Sequence, residues 1–148
     1  MSWYKYNANP KGWKDGDCVV RSVSSALNQD WSTTFGDLCK IAAKKCRMPN
    51  SEQVYNKYLE DHGFVKMKQL KHDDGTKYTV QEVANEHEDC ILLIHCAHHL
   101  TCAVGGRIVD TWYCGRKTAG RYWLFRPTKQ EDIENLNELE YKLMMYYQ

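Results

Sequence analysis

The spacing of the apolar residues changes near the middle of the chain, and this change limits the folds that the chain can adopt. In the first half, apolar residues recur every three or four positions, which is the period of an amphipathic helix. Three helices are predicted there: residues 18–27, a second helix capped by Ser32 or Thr33 and ending near Arg47, and a third capped by Ser51 and stopped at His62 and Gly63. The predicted inner face of the second helix holds Phe35, Leu38, Cys39, Ala42 and Ala43.

The second half contains short apolar segments separated by turn residues, which predicts mainly strands. These strands cover residues 64–67, 90–95, 100–104, 107–110 and 122–125, with Gly105 and Gly106 as the turn of a hairpin. Thr79 caps a short helix that runs to about His87, and residues 129–147 form a C-terminal helix. The predicted fold class is therefore α+β, with residues 1–148 in a single domain.

Charge and targeting signals argue against several classes of function. The formal net charge of +1 favours neither nucleic acid nor an anionic membrane as a partner. The N-terminus lacks the pattern of a signal peptide, and the longest apolar run, residues 90–94, is too short to span a bilayer. Seven cysteines, an odd number without an export signal, indicate reduced thiols. We therefore expect a cytoplasmic protein without a nucleic-acid or membrane partner, and the oligomeric state is left open.

Cys18 stands where a thiol can become reactive. Asp17 occupies the N-cap position of the first predicted helix, so Cys18 lies in the first turn. The helix dipole and the free backbone donors of that turn stabilise a thiolate and lower the pKa of the thiol. The alternative is a small buried residue, which is the role predicted for five other cysteines that lie in apolar segments. Cys114 falls in a predicted loop.

The predicted hairpin supplies a base and a carboxylate for this thiol. A two-residue turn at 105–106 places His99, Thr101 and Asp110 on one face of the sheet, with His98 on the opposite face. His99 and Asp110 are then diagonal cross-strand neighbours, about 7 to 8 Å apart at the backbone. A three-residue loop would instead put His98 beside Asp110. The glycine pair favours the two-residue turn and therefore His99.

The motifs Gly16-Asp17-Cys18, His99 at the start of a strand, and Asp110-Thr111-Trp112 resemble those of the papain-like cysteine peptidase superfamily. The similarity is to small single-domain bacterial and phage members over roughly residues 4–125, and more remotely to bacteriocin-leader-cleaving peptidases and transglutaminase-like enzymes. The resemblance implies a nucleophile helix packed on a small antiparallel sheet. It also implies that Cys18 is the nucleophile, His99 the base, and Asp110 the group that orients the base.

The chain departs from the papain pattern at two positions. Papain-type enzymes carry a Gln shortly before the nucleophile to complete the oxyanion hole, but no Gln precedes Gln29 here. Asn7 and Asn9 are possible substitutes because an amide can donate beside the Cys18 backbone N–H, and Asn9 is the predicted donor. The Trp that follows the papain nucleophile is replaced by Val19.

The predicted function is a cysteine hydrolase: a peptidase, isopeptidase or amidase that forms a thioester on a protein or peptide substrate. Two alternatives are a transglutaminase-like acyltransferase and a non-catalytic papain-fold binding or inhibitory module. A third is metal binding by the residues Cys90, His95, Cys96, His98, His99, Cys102 and Cys114. These cysteines are six positions apart and lack the close pairs of structural zinc sites, so neither a metal nor another cofactor is predicted.

Overall fold

The computed structural model describes residues 3–147, which form five helices and six strands. In chain order these are β1 (Trp3–Lys5), α1 (Cys18–Leu27), α2 (Trp31–Lys45), α3 (Glu52–Asp61), β2 (Val65–Met67), α4 (Val80–Glu86), β3 (Ile91–Cys96), β4 (His99–Val104), β5 (Arg107–Asp110), β6 (Tyr122–Phe125) and α5 (Gln130–Tyr147). Helices and strands are mixed as the α+β class requires. None of these helices combines the length and the apolar character needed to cross a bilayer.

The six strands form one sheet in the order β1-β5-β4-β3-β6-β2. Four of the five strand pairs are antiparallel, but β1 runs parallel to β5 at one edge of the sheet. The small antiparallel sheet that the resemblance implies is therefore found, apart from this one parallel edge strand. A tight hairpin forces its strands to be antiparallel, whereas about a hundred residues separate β1 from β5 and allow either direction.

The two faces of the sheet belong to separate apolar cores because successive residues of a strand point to opposite faces. Helices α1, α2, α3 and α5 cover one face, with a core that includes Val23, Leu38, Leu59, Leu93, Leu100 and Leu143. Helix α4 covers the other face, with a core that includes Val83, Leu92, Ile94, Ala103, Ile108 and Tyr122. The sheet is thus the middle layer of three.

The second helix starts earlier and buries a different face than the sequence predicts. It begins at Trp31 after the N-cap residue Asp30, so positions 32–33 lie inside the helix. Phe35 and Ala43 were expected in the core but are exposed. The buried residues of α2 are Thr34, Leu38 and Ala42. Phe35 instead stacks on Trp31 at the surface, with ring centroids 5.1 Å apart, which keeps part of its apolar area from water.

Two tight turns set the register of the central strands. The turn at 105–106 pairs Val104 with Arg107, as the sequence predicts, and both glycines have positive φ, as a type I′ turn requires. A second two-residue turn joins β3 to β4 and pairs Cys96 with His99. The other element boundaries lie within two residues of the predicted ones, which is the usual uncertainty of helix and strand ends.

Thr79 is expected to stabilise the layer formed by α4. Its side chain accepts a hydrogen bond from the Glu82 N–H at 3.2 Å, while the Glu82 carboxylate accepts from the Thr79 N–H at 2.9 Å. Thr79→Ala should lower the free energy of unfolding by about 1 kcal/mol, because one helix N–H loses its partner. Urea denaturation followed by circular dichroism measures this change. Thr33→Ala, at an exposed site within α2, is the control and should change stability much less.

Candidate active site

Cys18 is the first residue of α1, and the residue before it organises the surrounding chain. The Asp17 carboxylate accepts hydrogen bonds from Asn9 Nδ2 and Trp31 Nε1, each at 3.0 Å, and forms an ion pair with Arg21. Asp17 makes no side-chain capping bond to α1 within the described range 3–147. The backbone N–H groups in the first turn of α1, where Cys18 lies, are therefore not capped by the Asp17 carboxylate.

His99 and Asp110 are joined by a short hydrogen bond. Nε2 of His99 lies 2.7 Å from Oδ2 of Asp110, and both side chains are largely buried. The Thr101 hydroxyl donates to the same Oδ2 at 2.6 Å, and the Thr111 N–H donates to Oδ1 at 2.7 Å. Each carboxylate oxygen thus accepts a hydrogen bond from a threonine, and Oδ2 also bonds the imidazole. The carboxylate therefore holds the His99 ring in one orientation.

Cys18 and the His99 side chain line the same two clefts, and the positive charge of His99 acts on the thiol. Because His99 Nε2 faces Asp110, Nδ1 is the ring nitrogen left for the thiol. α1 packs on the sheet face that carries Leu100, whereas His99 belongs to the face of Thr101. The two side chains meet because Cys18 begins its helix and His99 begins its strand, at the same end of the sheet.

The charges of the three groups reinforce one another. Burial by itself raises the pKa of Cys18, but hydrogen bonds with the His99 side chain and the Leu100 backbone outweigh it. The positive charges of His99 and Arg21 act in the same direction, so the pKa of Cys18 lies below its ordinary value. Burial lowers the pKa of His99. The hydrogen bond to Asp110 raises it, and the net shift of the pKa is upward. This combination favours thiolate beside imidazolium.

Asp110 remains ionised despite its burial. Burial raises the pKa of its carboxyl group, but hydrogen bonds from His99 and Thr101 lower it below the ordinary value. An ionised, buried carboxylate next to the ring stabilises the imidazolium form of His99. The chain Cys18–His99–Asp110 can therefore supply a nucleophile, a proton carrier and an orienting charge.

Two clefts meet at this thiol. A cleft of about 410 Å³ is lined by Lys14, Asp15, Gly16, Cys18, Arg21, His98, His99, Thr111 and Trp112. A cleft of about 250 Å³ on the side of α3 is lined by Cys18, Val19, Asn50, Glu52, Tyr55, His95, His98, His99, Leu100 and Arg121. The Trp112 ring is 41% exposed and lies 5.2 Å from the His99 ring, so it covers one side of the imidazole. Cys18, His98 and His99 line both clefts.

His98 does not lie where the sequence predicts. It was expected on the opposite face of the sheet, but it sits in the β3–β4 turn with φ 56° and lines both clefts. The reason is that the strand begins at His99, so the alternation of faces does not extend back to His98. Asp110 nevertheless bonds His99, as the two-residue turn predicts.

Asn9 lies next to the nucleophile loop. Its Nδ2 donates to Asp17, and its Oδ1 accepts from the Lys11 N–H at 2.9 Å. Among the described residues, those that line the two clefts at Cys18 do not include Asn9. Its amide has a second hydrogen, so its role as an oxyanion donor stays a prediction.

Two side chains of the site were not assigned from the sequence. Thr101 faces Asp110 in the predicted register, so its hydroxyl could have been recognised as a partner of the carboxylate. Cys114 was predicted as a loop residue and as a member of the alternative metal-binding set, but not as a neighbour of the triad, yet its Sγ lies 3.8 Å from Asp110 Oδ2 and is buried. The conformation of residues 111–121 decides that position, and no periodicity predicts it.

Comparisons with protein-family models, with curated proteins and with solved structures give no match for this chain.

The Thr101 hydroxyl should affect the reactivity of the thiol through Asp110. Thr101→Val removes one donor to the buried carboxylate, which raises the pKa of Asp110 and weakens its hold on His99. Alkylation of Cys18 by iodoacetamide at pH 6 should slow by roughly three- to tenfold, since a hydrogen bond to a charged group contributes about 1.5 kcal/mol. Thr101→Ser should restore the rate.

Thr34→Val is the matched control for this substitution. Thr34 is equally buried and hydrogen-bonded, to Ser24 at 2.8 Å, but it lies in α2 away from the carboxylate. It should lower stability without changing the pH profile of alkylation. Equal effects of the two Val variants on the profile would show that Thr101 acts only through stability.

Proposed function

We propose that this protein is a papain-like cysteine hydrolase that cleaves an amide bond of a protein or peptide through a Cys18 thioester. One observation carries the proposal: Cys18 shares two clefts with His99, and His99 is hydrogen-bonded to Asp110 at 2.7 Å. A thiol enzyme requires a nucleophile, a base within hydrogen-bond reach and a third group that orients the base. A protein that only binds a partner has no chemical need for these three groups together.

The electrostatics define the first step. The Cys18 thiolate attacks the carbonyl carbon, and the electrons of the carbonyl bond move to its oxygen. The His99 imidazolium then gives its Nδ1 proton to the leaving amine while Asp110 keeps the ring in place through Nε2. A thioester remains on Cys18. Water, deprotonated by the now neutral His99, attacks the thioester and releases the acid.

Backbone donors at the start of α1 support the proposed oxyanion site. The Cys18 N–H lies in the first turn, where a helix presents donors without intrahelical partners and a positive dipole end. A preorganised donor of this kind stabilises the negative charge that develops on the carbonyl oxygen. The second donor that we propose is the free hydrogen of the Asn9 amide, which Asp17 holds next to the loop before Cys18.

The identity of the base is tested by matched substitutions at two neighbouring histidines. His99→Asn removes the imidazole that lowers the pKa of Cys18, so the midpoint of alkylation against pH should rise and the rate at pH 6 should fall roughly tenfold or more. His98→Asn should leave the profile unchanged. Asparagine tolerates the left-handed backbone at position 98, so this control preserves the turn.

Peptide mass mapping after limited iodoacetamide treatment measures both effects, with circular dichroism as the test of folding. In the wild-type chain, Cys18 should be labelled at lower pH than the other six cysteines. If only His98→Asn shifts the pH profile of alkylation, His98 is the base instead of His99. If neither variant changes the profile, no imidazole activates the thiol, and the binding module becomes the better explanation.

Turnover is tested with an aryl acetate ester, which needs no knowledge of the natural substrate. Wild-type protein should release the aryl alcohol in a burst and carry an acetyl group on Cys18, and Cys18→Ala should show neither. Asp110→Asn should fold but slow the reaction by roughly a hundredfold or more, because the base loses its orienting charge. Folded Asp110→Asn with an unchanged rate would contradict this role.

Addition of a primary amine to the same assay separates hydrolysis from acyl transfer. A hydrolase should yield acetate as the main product, whereas an acyltransferase should yield the acetamide of the amine. Mass spectrometry of the products distinguishes the two. A dominant acetamide at millimolar amine would assign the protein to the transglutaminase-like class.

A further inference from the structure

A buried cluster of metal-ligating atoms surrounds the His99–Asp110 hydrogen bond. One ligand atom each from His99, Asp110 and Cys114 lies within 4.8 Å of the other two. Asp110 is 7% exposed and Cys114 is 1% exposed. Cys96 is also buried and belongs to the same apolar core as Cys114. Three side chains with nitrogen, oxygen and sulfur donors thus converge on one point, and the thiol of Cys96 lies outside this group in the same apolar core.

We propose that His99, Asp110, Cys96 and Cys114 bind one Zn²⁺ ion, and that this ion switches off the thiol chemistry of Cys18. The part of the proposal that concerns inhibition rests on the proposed function, whereas the binding site does not. Zinc prefers four ligands of these types in tetrahedral arrangement.

The spacing of the ligands along the chain matches the way in which zinc sites are built. Cys96 and His99 are separated by two residues and flank the two-residue turn between β3 and β4. Asp110 and Cys114 are separated by three residues at the end of β5. Structural zinc sites use two such close pairs, typically with two to four residues between the ligands of a pair. Each of these pairs joins a cysteine to a ligand of another type, unlike the Cys-x-x-Cys pairs of many zinc sites.

The distances also suit a zinc ion. Ligand bonds of about 2.0 to 2.3 Å in a tetrahedron imply separations of roughly 3.3 to 3.8 Å between ligand atoms. The observed separations from Asp110 Oδ2 are 2.7 Å to His99 Nε2 and 3.8 Å to Cys114 Sγ. The imidazole and the carboxylate must therefore move apart by less than about 1 Å, while Thr101 and Thr111 still donate to the carboxylate as outer partners.

Proton balance favours a metal that binds thiolates strongly. Zinc binding replaces the proton on His99 Nε2 and the thiol protons of Cys96 and Cys114, and these three protons pass to the solvent. Because Cys114 is buried as a thiol, only a metal with high thiolate affinity can displace its proton. Mg²⁺ and Ca²⁺ prefer oxygen ligands and should not bind there.

The bound ion would prevent catalysis through the imidazole. With Nε2 bound to zinc, the proton of the neutral ring stays on Nδ1, the nitrogen that faces Cys18. His99 can then neither accept the thiol proton nor use Asp110 to stabilise an imidazolium. Zinc should therefore act as a reversible inhibitor without binding Cys18 itself.

Co²⁺ and Zn²⁺ titrations of the full chain, kept reduced with a phosphine, test the site. Co²⁺ should produce a thiolate charge-transfer band at a stoichiometry of one, and Zn²⁺ should abolish it. Competition with a chromogenic chelator gives the zinc affinity, which should fall at least tenfold in Cys114→Ser. Cys102→Ser is the matched control, because Cys102 is equally buried but lies on the opposite face of β4. It should bind both metals as the wild type does.

Cys96→Ser provides a second ligand variant if Cys114→Ser does not fold, and it should show the same loss. The proposed site is overturned if the charge-transfer band is absent. It is also overturned if Cys114→Ser and Cys96→Ser both fold and bind zinc as tightly as the wild type.

Alkylation of Cys18 with and without Zn²⁺ separates this proposal from the proposed function. Zinc should slow alkylation at least tenfold in wild type and Cys102→Ser, and much less in Cys114→Ser. Equal slowing in all three would place the ion on Cys18 and refute inhibition through the buried site. If Cys18 is unreactive in metal-free protein while the Co²⁺ band appears, the proposed function fails and the metal site stands.

Discussion

The buried negative charge of Asp110 is the constraint on which the active end of the sheet depends. An ionised carboxylate is costly to bury unless hydrogen-bond donors compensate for lost water. His99, Thr101 and Thr111 supply these donors, at 2.6 to 2.7 Å. Because all three must reach one carboxylate, the register of β4 and β5, the rotamer of His99 and the path of the chain after β5 are coupled. The backbone carbonyl of Asp110 also accepts from Tyr6 N–H at 2.9 Å, which attaches β1 to the same point.

A second carboxylate, Asp17, holds the other half of the site. Its contacts with Asn9, Trp31 and Arg21 join the N-terminal loop, α2 and α1 at the residue before the thiol. The Asp17 side chain makes no capping bond to the helix that it precedes. The donors of the first turn consequently stay directed at Cys18 and at the cleft, where a thiolate or an oxyanion needs them.

The proposed catalytic and metal-binding roles use the same bond in incompatible ways. The His99–Asp110 hydrogen bond stabilises an imidazolium when Nε2 carries a proton, and the same two atoms become ligands when zinc replaces that proton. Cys114 and Cys96 lie on the buried side and Cys18 on the cleft side, so the two chemistries share only the imidazole and its carboxylate. The state of one ring nitrogen thus decides between an active thiol and a closed metal site.

The sequence by itself determined those features that depend on near neighbours along the chain. The glycine pair at 105–106 implied the hairpin register and hence the juxtaposition of His99, Thr101 and Asp110, because turn geometry sets strand pairing locally. The N-terminus of α1 at Cys18 and the cap at Thr79 followed from caps and apolar period in the same way.

Only the tertiary structure decided which distant segments meet. The approach of Cys18 to His99 depends on how α1 packs across the sheet, and the parallel pairing of β1 with β5 depends on a connection of about a hundred residues. Phe35 was assigned to the core because a period shows which residues align on a helix, but packing selects which stripe is buried. The approach of Cys114 to Asp110 depends on the irregular loop after β5. Such long-range contacts are set by the packing of the whole core. No single segment of the sequence carries a signal for them.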